Sequence, residues 1–260
     1  MGENGNDMSA RIHFKANGTD ISQAALARFQ AQFGDAPEED CDVIVVFGGD
    51  GMMLQTLHST QHLNTPVFGM NCGTVGFLTN KYSDDNLEER LRQVEEEILN
   101  PLRMHSVSTE GVEHDQLAIN EVSLLRAGPQ AAKLRITVDG HVRLSELICD
   151  GALVSTPAGS TAYNYSAHGP ILPIGSDVLA LTPMAAFRPR RWRGALLPKA
   201  AKVRFDVLEP EKRPVMVAAD SRSEQDVLSV EIYSDPTIEH RILFDEGHGL
   251  KERLLREQFV

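Results

Sequence analysis

Asp50 stands between glycines in the stretch CDVIVVFGGDGMML, which starts at Cys41. The β-branched run Val43 to Phe47 reads as a strand buried on both faces, and it stops at Gly48 and Gly49. Open α/β sheets bind ligands at the carboxyl ends of such strands. Glycines there let backbone N–H groups approach a phosphate, and the start of a following helix favours an anion. No Gly-Lys-Ser follows, so this is not a Walker loop, and the spacing is not GxGxxG either. A carboxylate among phosphate-binding amides repels the ligand unless it has a task. Asp50 can bind Mg²⁺ or take a proton from a hydroxyl nucleophile. The competing reading is a plain tight turn, in which Gly-Asp-Gly is common.

Four further stretches carry chemistry-bearing residues. In NCGTVGFLTN, Asn71, Gly73 and Gly76 can shape a second backbone approach, and Phe77 can lie against an adenine ring or serve as core. In AINEVSLL, Asn120 and Glu121 interrupt an apolar strand. Neighbouring strand residues face opposite ways, so one of the pair points into the protein or a cleft unless the strand is an exposed edge. An Asn can read an adenine edge, and a Glu can accept from ribose hydroxyls. The stretch CDGALVSTPAGSTAYNYSAHGPILP runs from a strand into hydroxyls, glycines and a helix-like STAYNYSA whose first N–H groups face the loop. In FRPRRWRG, Arg188, Arg190, Arg191 and Arg193 form a local basic cluster. Guanidinium groups suit phosphate oxygens, and a solvated loop or a subunit contact is the alternative. The histidines share no spacing, no GxSxG elbow surrounds Ser155 or Ser160, and no metal-ligand set is identified.

The elements that must position these residues fall into two kinds. Up to about residue 98, strand-like and helix-like segments alternate, which predicts a parallel α/β layer. A helix is expected from Asp20 with Ile21, Ala25, Phe29 and Phe33 on one face. Another is expected after Asp84 or Asp85 with Leu87, Leu91, Val94 and Ile98 on one stripe. From Pro101 the pattern changes. KLRITVDGHVRLSEL alternates around an Asp139-Gly140 turn and predicts a hairpin, and KVRFDV, VLSVEIY and HRILF alternate likewise. The reading is an α/β Rossmann-like domain over residues 1–98, an antiparallel β-sandwich over 99–245, and a closing helix over 246–260 with Leu250, Leu254 and Leu255 at helical spacing.

Composition narrows the partners. The 260-residue chain has 42% hydrophobic residues and a net charge of −12, which argues against nucleic acid as the main partner. Three well-separated cysteines fit a reducing cytoplasm. The polar start MGENGNDMSA predicts no signal peptide, and no apolar run approaches membrane-span length.

Taken together, GGDGMML, PVFGMNCGTVGFLTN, AINEV and DGALVSTPAGSTAYNYSAHGP resemble the NAD kinase family, over roughly residues 41 to 198 and in the right order. GGDG alone also occurs in lipid kinases of the diacylglycerol and sphingosine type, and in related form in phosphofructokinases. The combination with Asn-Glu and GSTAY is specific to NAD kinases. The resemblance implies an α/β domain followed by a β-sandwich, with the site in the crevice between them and the final helix packed back on the first domain. It implies transfer of phosphate from ATP, or another donor, to the 2′-hydroxyl of the adenosine ribose of NAD, with Mg²⁺ or another divalent cation. Asp50 takes the role of general base and Gly51 lies beside the acceptor. Asn120 and Glu121 hold the adenosine half. The segment with Ala158, Thr161, Ala162, Tyr163, Asn164, Tyr165 and Ser166 lines the dinucleotide, and Asp150 meets its nicotinamide end, often from a neighbouring subunit. Gly48, Gly49, Arg188, Arg190 and Arg191 are the expected donor-phosphate contacts, and a homodimer or homotetramer is expected. The sequence departs from the family pattern at His168, where SAGGP has glycine, at Asp220-Ser221-Arg222, where DGQ is usual, and in arginines beyond the Arg188-Pro189 pair. The alternatives are a catalytically silent NAD(P)-binding sensor and a GGDG-loop kinase of another hydroxyl, such as a lipid's.

Overall fold

The structure, a computed structural model, describes residues 10–73 and 76–257. The N-terminal residues 1–9, Thr74 and Val75, and the side chains of Leu254 and Leu255 lie outside the described residues. The chain forms two compact units. The first runs to Leu99 and takes back Glu239–Arg253, and the second is built from Asn100–Ile238 with the chain from Leu254 on, so the last helix is divided between them rather than belonging wholly to the first.

The first unit is a mixed sheet flanked by helices. Strands β1 (Ile12–Ala16), β2 (Val43–Gly48) and β3 (Val67–Asn71) run parallel in that spatial order, with a short β4 (Asn80–Lys81) on β3. All six residues of β2 are buried, as a strand covered on both faces requires. Helix α1 (Asp20–Phe33) is capped by Thr19, whose side chain accepts the Ser22 N–H. Its buried stripe is Ser22, Ala25 and Phe29, and Ile21 is exposed rather than part of it. The Phe29 ring packs 5.0 Å from Phe47 and 6.1 Å from Phe14. Helix α2 (Asp50–Ser59) returns the chain from β2 to β3 and buries Met53, Thr56 and Leu57.

Two expectations change here. The helix after Asp85 is only α3 (Leu87–Arg92), and Glu95–Leu99 is an edge strand, β5. Ile98, expected on the helix stripe, is 52% exposed. The open edge of the neighbouring strand supplies a ladder that local helix spacing does not reveal, and three glutamates at 95–97 mark β5 as an edge. That neighbour is His240–Phe244, numbered β18 in chain order. It was read as part of the sandwich, but it lies parallel to β3 and antiparallel to β5. Alternation reports which face is buried, not which sheet a strand joins.

The second unit is a sandwich of two six-stranded antiparallel sheets. In chain order its strands are β6 (Leu102–Ser108), β7 (Glu113–Ala118), β8 (Glu121–Arg126), β9 (Ala132–Val138), β10 (His141–Cys149), β11 (Gly151–Ser155), β12 (Val178–Met184), β13 (Ala195–Pro198), β14 (Val203–Val207), β15 (Val215–Ala219), β16 (Arg222–Glu224) and β17 (Val227–Ser234). One sheet has the order β10-β9-β14-β17-β6-β7 and the other β13-β12-β11-β8-β15-β16. Met104, Ile136, Phe205 and Ile232 from the first meet Val122, Val154, Leu181 and Val217 from the second in one core. The Asp139-Gly140 hairpin is present, with both residues at positive φ (51° and 77°), as the two-residue turn demands. Among the described residues no helix is long and apolar enough to cross a membrane.

Candidate active site

In the first unit, β2 delivers the chain to the N-terminus of α2. Gly49 is the N-cap and makes no side-chain cap, so the first N–H groups of the helix point outward without a side-chain partner. Neither Gly49 nor Gly51 has a positive φ, and a methyl group built on either would meet nothing within 4 Å. Among the described residues no neighbour demands glycine at these two places, and the bare backbone leaves the start of α2 uncovered.

Asp50 is the first residue of α2, yet its carboxylate turns to the loop before β4. Oδ2 accepts the Phe77 N–H at 2.7 Å and Oδ1 the Leu78 N–H at 2.9 Å. Oδ1 also accepts from the Thr79 hydroxyl at 3.5 Å, so Oδ2 keeps the further lone pair, and the carboxylate is fixed but still able to accept from a ligand. Gly76 makes this approach possible, since a Cβ there would lie 2.7 Å from Asp50 Oδ1 and 2.2 Å from Thr79 Oγ1. The same loop is held from its carbonyl side. Helix α5 (Leu250–Glu257) sends Arg253 Nη1 to the carbonyls of Gly76 (3.1 Å), Phe77 (3.3 Å) and Thr79, and its guanidinium lies over the Phe244 ring. Gly48, Gly49, Asp50, Gly51 and Phe77 are thus brought together. Phe77 is half-buried.

In the second unit, Glu121 begins β8, as a strand residue, but Ile119 and Asn120 lie outside the strand expected of AINEVSLL. They form the corner where the chain leaves β7 in one sheet and enters β8 in the other. The corner exposes three consecutive amides, and Asp220 satisfies all of them. Its carboxylate accepts the N–H groups of Ile119 (2.8 Å), Asn120 (2.9 Å) and Glu121 (3.3 Å). Hydrogen bonds to a charged acceptor contribute about 1.5–3 kcal/mol each. The loop after β11 closes on the same corner. Thr156 Oγ1 donates to the Ile119 carbonyl at 2.7 Å, and a Cβ on Gly159 would lie 2.2 Å from the Asn120 carbonyl oxygen. In the sequence Asp220 is legible only as the first residue of a departed three-residue motif, because its three partners lie about a hundred residues upstream.

Glu121 is 9% exposed, and its Oε2 has no hydrogen-bond partner. Burial, reinforced by the nearby Asp220 charge and only partly offset by the Tyr163 amide, pushes its carboxyl up to about 7. A buried carboxylate oxygen without a partner is what a ligand hydroxyl completes. The side-chain amide of Asn120 makes no hydrogen bond among the described residues. Of the segment after the corner, Ala158 is buried in a 3-10 turn, Ala158–Thr161. Thr161 and Ala162 are half-buried, and Tyr163, Tyr165 and Ser166 are exposed around the one-turn helix α4 (Tyr163–Ser166).

Two predicted residues stand apart. Asn164 was expected at the dinucleotide, but its side chain is fully buried. It donates to the carbonyls of Ser160 (3.0 Å) and Pro170 (2.9 Å) and accepts from Thr182 Oγ1 (2.6 Å), so its amide is saturated inside the fold. Asp150 is exposed and paired with Arg126 at 2.7 Å. Ser155 sits opposite Glu121 and Gly151 opposite Leu125, so Asp150 lies at the far end of that strand pair. At about 3.3 Å per residue this is roughly 17 Å from Glu121. Arg188, Arg190, Arg191 and Arg193 lie on an exposed segment beyond β12, and the bridge between Ile148 and Arg188 ties it to β10.

This geometry can be compared with known proteins. Residues 2–98 match the ATP-NAD kinase N-terminal domain, and residues 119–234 the ATP-NAD kinase C-terminal domain. A Cereibacter sphaeroides protein named NAD kinase is 66% identical over 250 residues, 96% of this chain and 98% of its own. A Caulobacter vibrioides NAD kinase is 53% identical over 249 residues, 96% of each. Among solved structures, an NAD kinase from Archaeoglobus fulgidus in complex with ATP aligns with a TM-score of 0.71 at 26% identity, covering 96% of this chain and 97% of that one. Yeast NADH kinase complexed with NADH shares the fold, with a TM-score of 0.79 at 19% identity over 97% of this chain and 88% of that one. With both domain models matched in order and two-thirds identity sustained along nearly its whole length, the chain belongs to the ATP-NAD kinase family.

Proposed function

We propose that the protein transfers the terminal phosphoryl group of ATP to the 2′-hydroxyl of the adenosine ribose of NAD, giving NADP. The observation that carries this is the fixed carboxylate of Asp50 beside an open helix N-terminus whose glycines leave room for phosphate. Asp50 accepts the ribose hydroxyl proton as that oxygen bonds to the terminal phosphorus, and the bridging P–O bond breaks to release ADP. Phosphoryl transfer of this kind depends mainly on positioning and charge stabilisation. Gly49 and Gly51 cradle phosphate, whereas Gly48 is buried at the end of β2, where a Cβ would lie 2.8 Å from Met52 Cβ. The buried Glu121 Oε2 accepts from the adenosine ribose, and Asn120 reads the adenine edge. Residues Thr161 to Ser166 border the dinucleotide through exposed hydroxyls and backbone rather than through the Asn164 side chain.

Among the described residues no three His, Cys, Asp or Glu side chains converge on a metal position. Mg²⁺ would be held mostly by the nucleotide phosphates, which need few protein ligands. When bound, the ion neutralises charge on the phosphates. The free thiols Cys41, Cys72 and Cys149 support a cytoplasmic location, and an assembly of two or four subunits in which the exposed Asp150 serves a neighbour belongs to the same reading.

The test is direct. Purified protein with NAD, ATP and Mg²⁺ should form NADP. Asp50→Asn should lower kcat by about 10²–10⁴ while NAD binding persists. NAD binding with no NADP would indicate a silent dinucleotide sensor, and phosphorylation of a lipid alcohol instead would indicate the other GGDG-loop chemistry.

A further inference from the structure

The two amides that fix Asp50 belong to two consecutive peptide groups. The Phe77 N–H shares its peptide plane with the Gly76 carbonyl, and the Leu78 N–H shares its plane with the Phe77 carbonyl. These two carbonyls accept from Arg253 Nη1, at 3.1 and 3.3 Å. Each peptide group therefore has the Asp50 carboxylate on its N–H side and the Arg253 guanidinium on its C=O side. Thr79 repeats the pattern through its side chain, giving its carbonyl to Arg253 Nη1 and its hydroxyl to Asp50 Oδ1 at 3.5 Å. All of these residues belong to the first unit.

A trans peptide group is planar, with its N–H and C=O on opposite sides. A cation at the carbonyl and an anion at the amide thus favour the same orientation of the group. Hydrogen bonds joined in such a chain polarise one another, and bonds to charged groups are the stronger ones. Turning either peptide over would aim a carbonyl at the carboxylate and an N–H at the guanidinium. Gly76 leaves the bare backbone free to make that turn, because it has no Cβ to oppose it. Arg253 opposes it. The arginine is itself held. Leu250 is fully buried at the start of α5, and Arg253, three residues on, shares its face of the helix. Arg253 Nε donates to the His248 carbonyl at 2.9 Å, and the guanidinium centre lies 5.2 Å from the centroid of the buried Phe244 ring. A guanidinium keeps its charge throughout the working pH range of a protein.

We propose that Arg253 is a positioning residue for the phosphoryl transfer. Acting through the Gly76–Phe77 and Phe77–Leu78 peptide groups, it sets the place of the Asp50 carboxylate and so ties the closing helix to turnover. The proposal rests on the reading of Asp50 as the base. It requires no contact between Arg253 and either nucleotide, so loss of the guanidinium lowers kcat and leaves nucleotide affinity in place.

The test combines kinetics and amide exchange on the intact protein. Arg253→Ala should lower kcat about 10–100-fold, as a displaced reacting group does, with KM for ATP and for NAD within about threefold of wild type. Arg253→Lys keeps the charge without the planar fork and should fall between. Guanidinium chloride, too dilute to shift the thermal melt, should restore part of the kcat of the Ala variant and leave wild type unchanged, and sodium chloride at the same concentration should restore none. Hydrogen exchange read by mass spectrometry without nucleotides should show the Phe77 and Leu78 amides exchanging roughly tenfold faster or more in Arg253→Ala, with β1 to β3 unchanged. Wild-type kcat in the Ala variant overturns the proposal, and so does unchanged exchange at Phe77 and Leu78. A loss that falls on KM, that guanidinium ion does not rescue, or that comes with faster exchange throughout the unit also overturns it, because each marks a structural role alone. Wild-type protein that forms no NADP overturns the catalytic reading instead, and exchange at Phe77 and Leu78 then decides whether Arg253 sets the loop that holds Asp50.

Discussion

Replacing Glu121 with Gln should make the protein more stable at alkaline pH while weakening its hold on NAD. Glu121 is 9% exposed, one of its oxygens has no partner, and the Asp220 carboxylate is nearby. Its carboxyl is raised from 4.5 to about 7 in the fold. In an unfolded chain it returns to the ordinary value, so between these pH values the folded state binds more protons than the unfolded one. Stability then falls as pH rises. The contribution is fully present below about 4.5 and is lost as pH rises through about 7. At about 1.36 kcal/mol per pH unit, the loss is about 3 kcal/mol. Glutamine has the shape of the protonated acid and cannot ionise, so the variant escapes that loss. Thermal melts of ligand-free wild type and Glu121→Gln, taken near pH 5 and near pH 8.5, should show the variant gaining on wild type by roughly 6–12 °C across the interval. A gap that stays constant, or that widens in favour of wild type at the higher pH, would refute the buried-carboxylate reasoning. The expected accompaniment is a raised KM for NAD with a smaller change in kcat, because the ionised carboxylate is the better acceptor for ribose hydroxyls.

Two other substitutions test the supports of the site. Asp220→Ala removes the acceptor of three corner amides and should destabilise the second unit by about 5 kcal/mol or more, read in urea unfolding at neutral pH. Stability within about 1 kcal/mol of wild type would mean that the corner stands without it. Gly76→Ala drives a methyl group to within 2.7 Å of Asp50 Oδ1 and 2.2 Å of Thr79 Oγ1 and should reduce kcat roughly 10–100-fold, as a small displacement of a reacting group does, with thermal melts reading what the crowding costs the fold. Full turnover in that variant would show that the Asp50 position is not set by this loop.

What the sequence determined by itself is local. The β-branched run ending in glycines announced a buried strand and a loop at its carboxyl end, and the structure has β2 running into α2 there. Asp139-Gly140 between alternating segments announced a hairpin, because only a turn with two positive φ values joins strands of that twist. The motif order identified the family. Tertiary structure alone decided the rest, because the deciding partners are distant in sequence. Spacing of Leu87, Leu91, Val94 and Ile98 fits a helix, but an open sheet edge takes the last part as β5. HRILF alternates like a sandwich strand, but β3 and β5 capture it. Asn164 has the chemistry of a ligand contact, but the carbonyls of Ser160 and Pro170 and the Thr182 hydroxyl enclose it. Asp220 looked like the remnant of a broken motif, yet it holds the corner that carries Asn120 and Glu121. Residue types state which hydrogen bonds a group can make. Only the folded chain states which of them are already made, and which are left for a ligand.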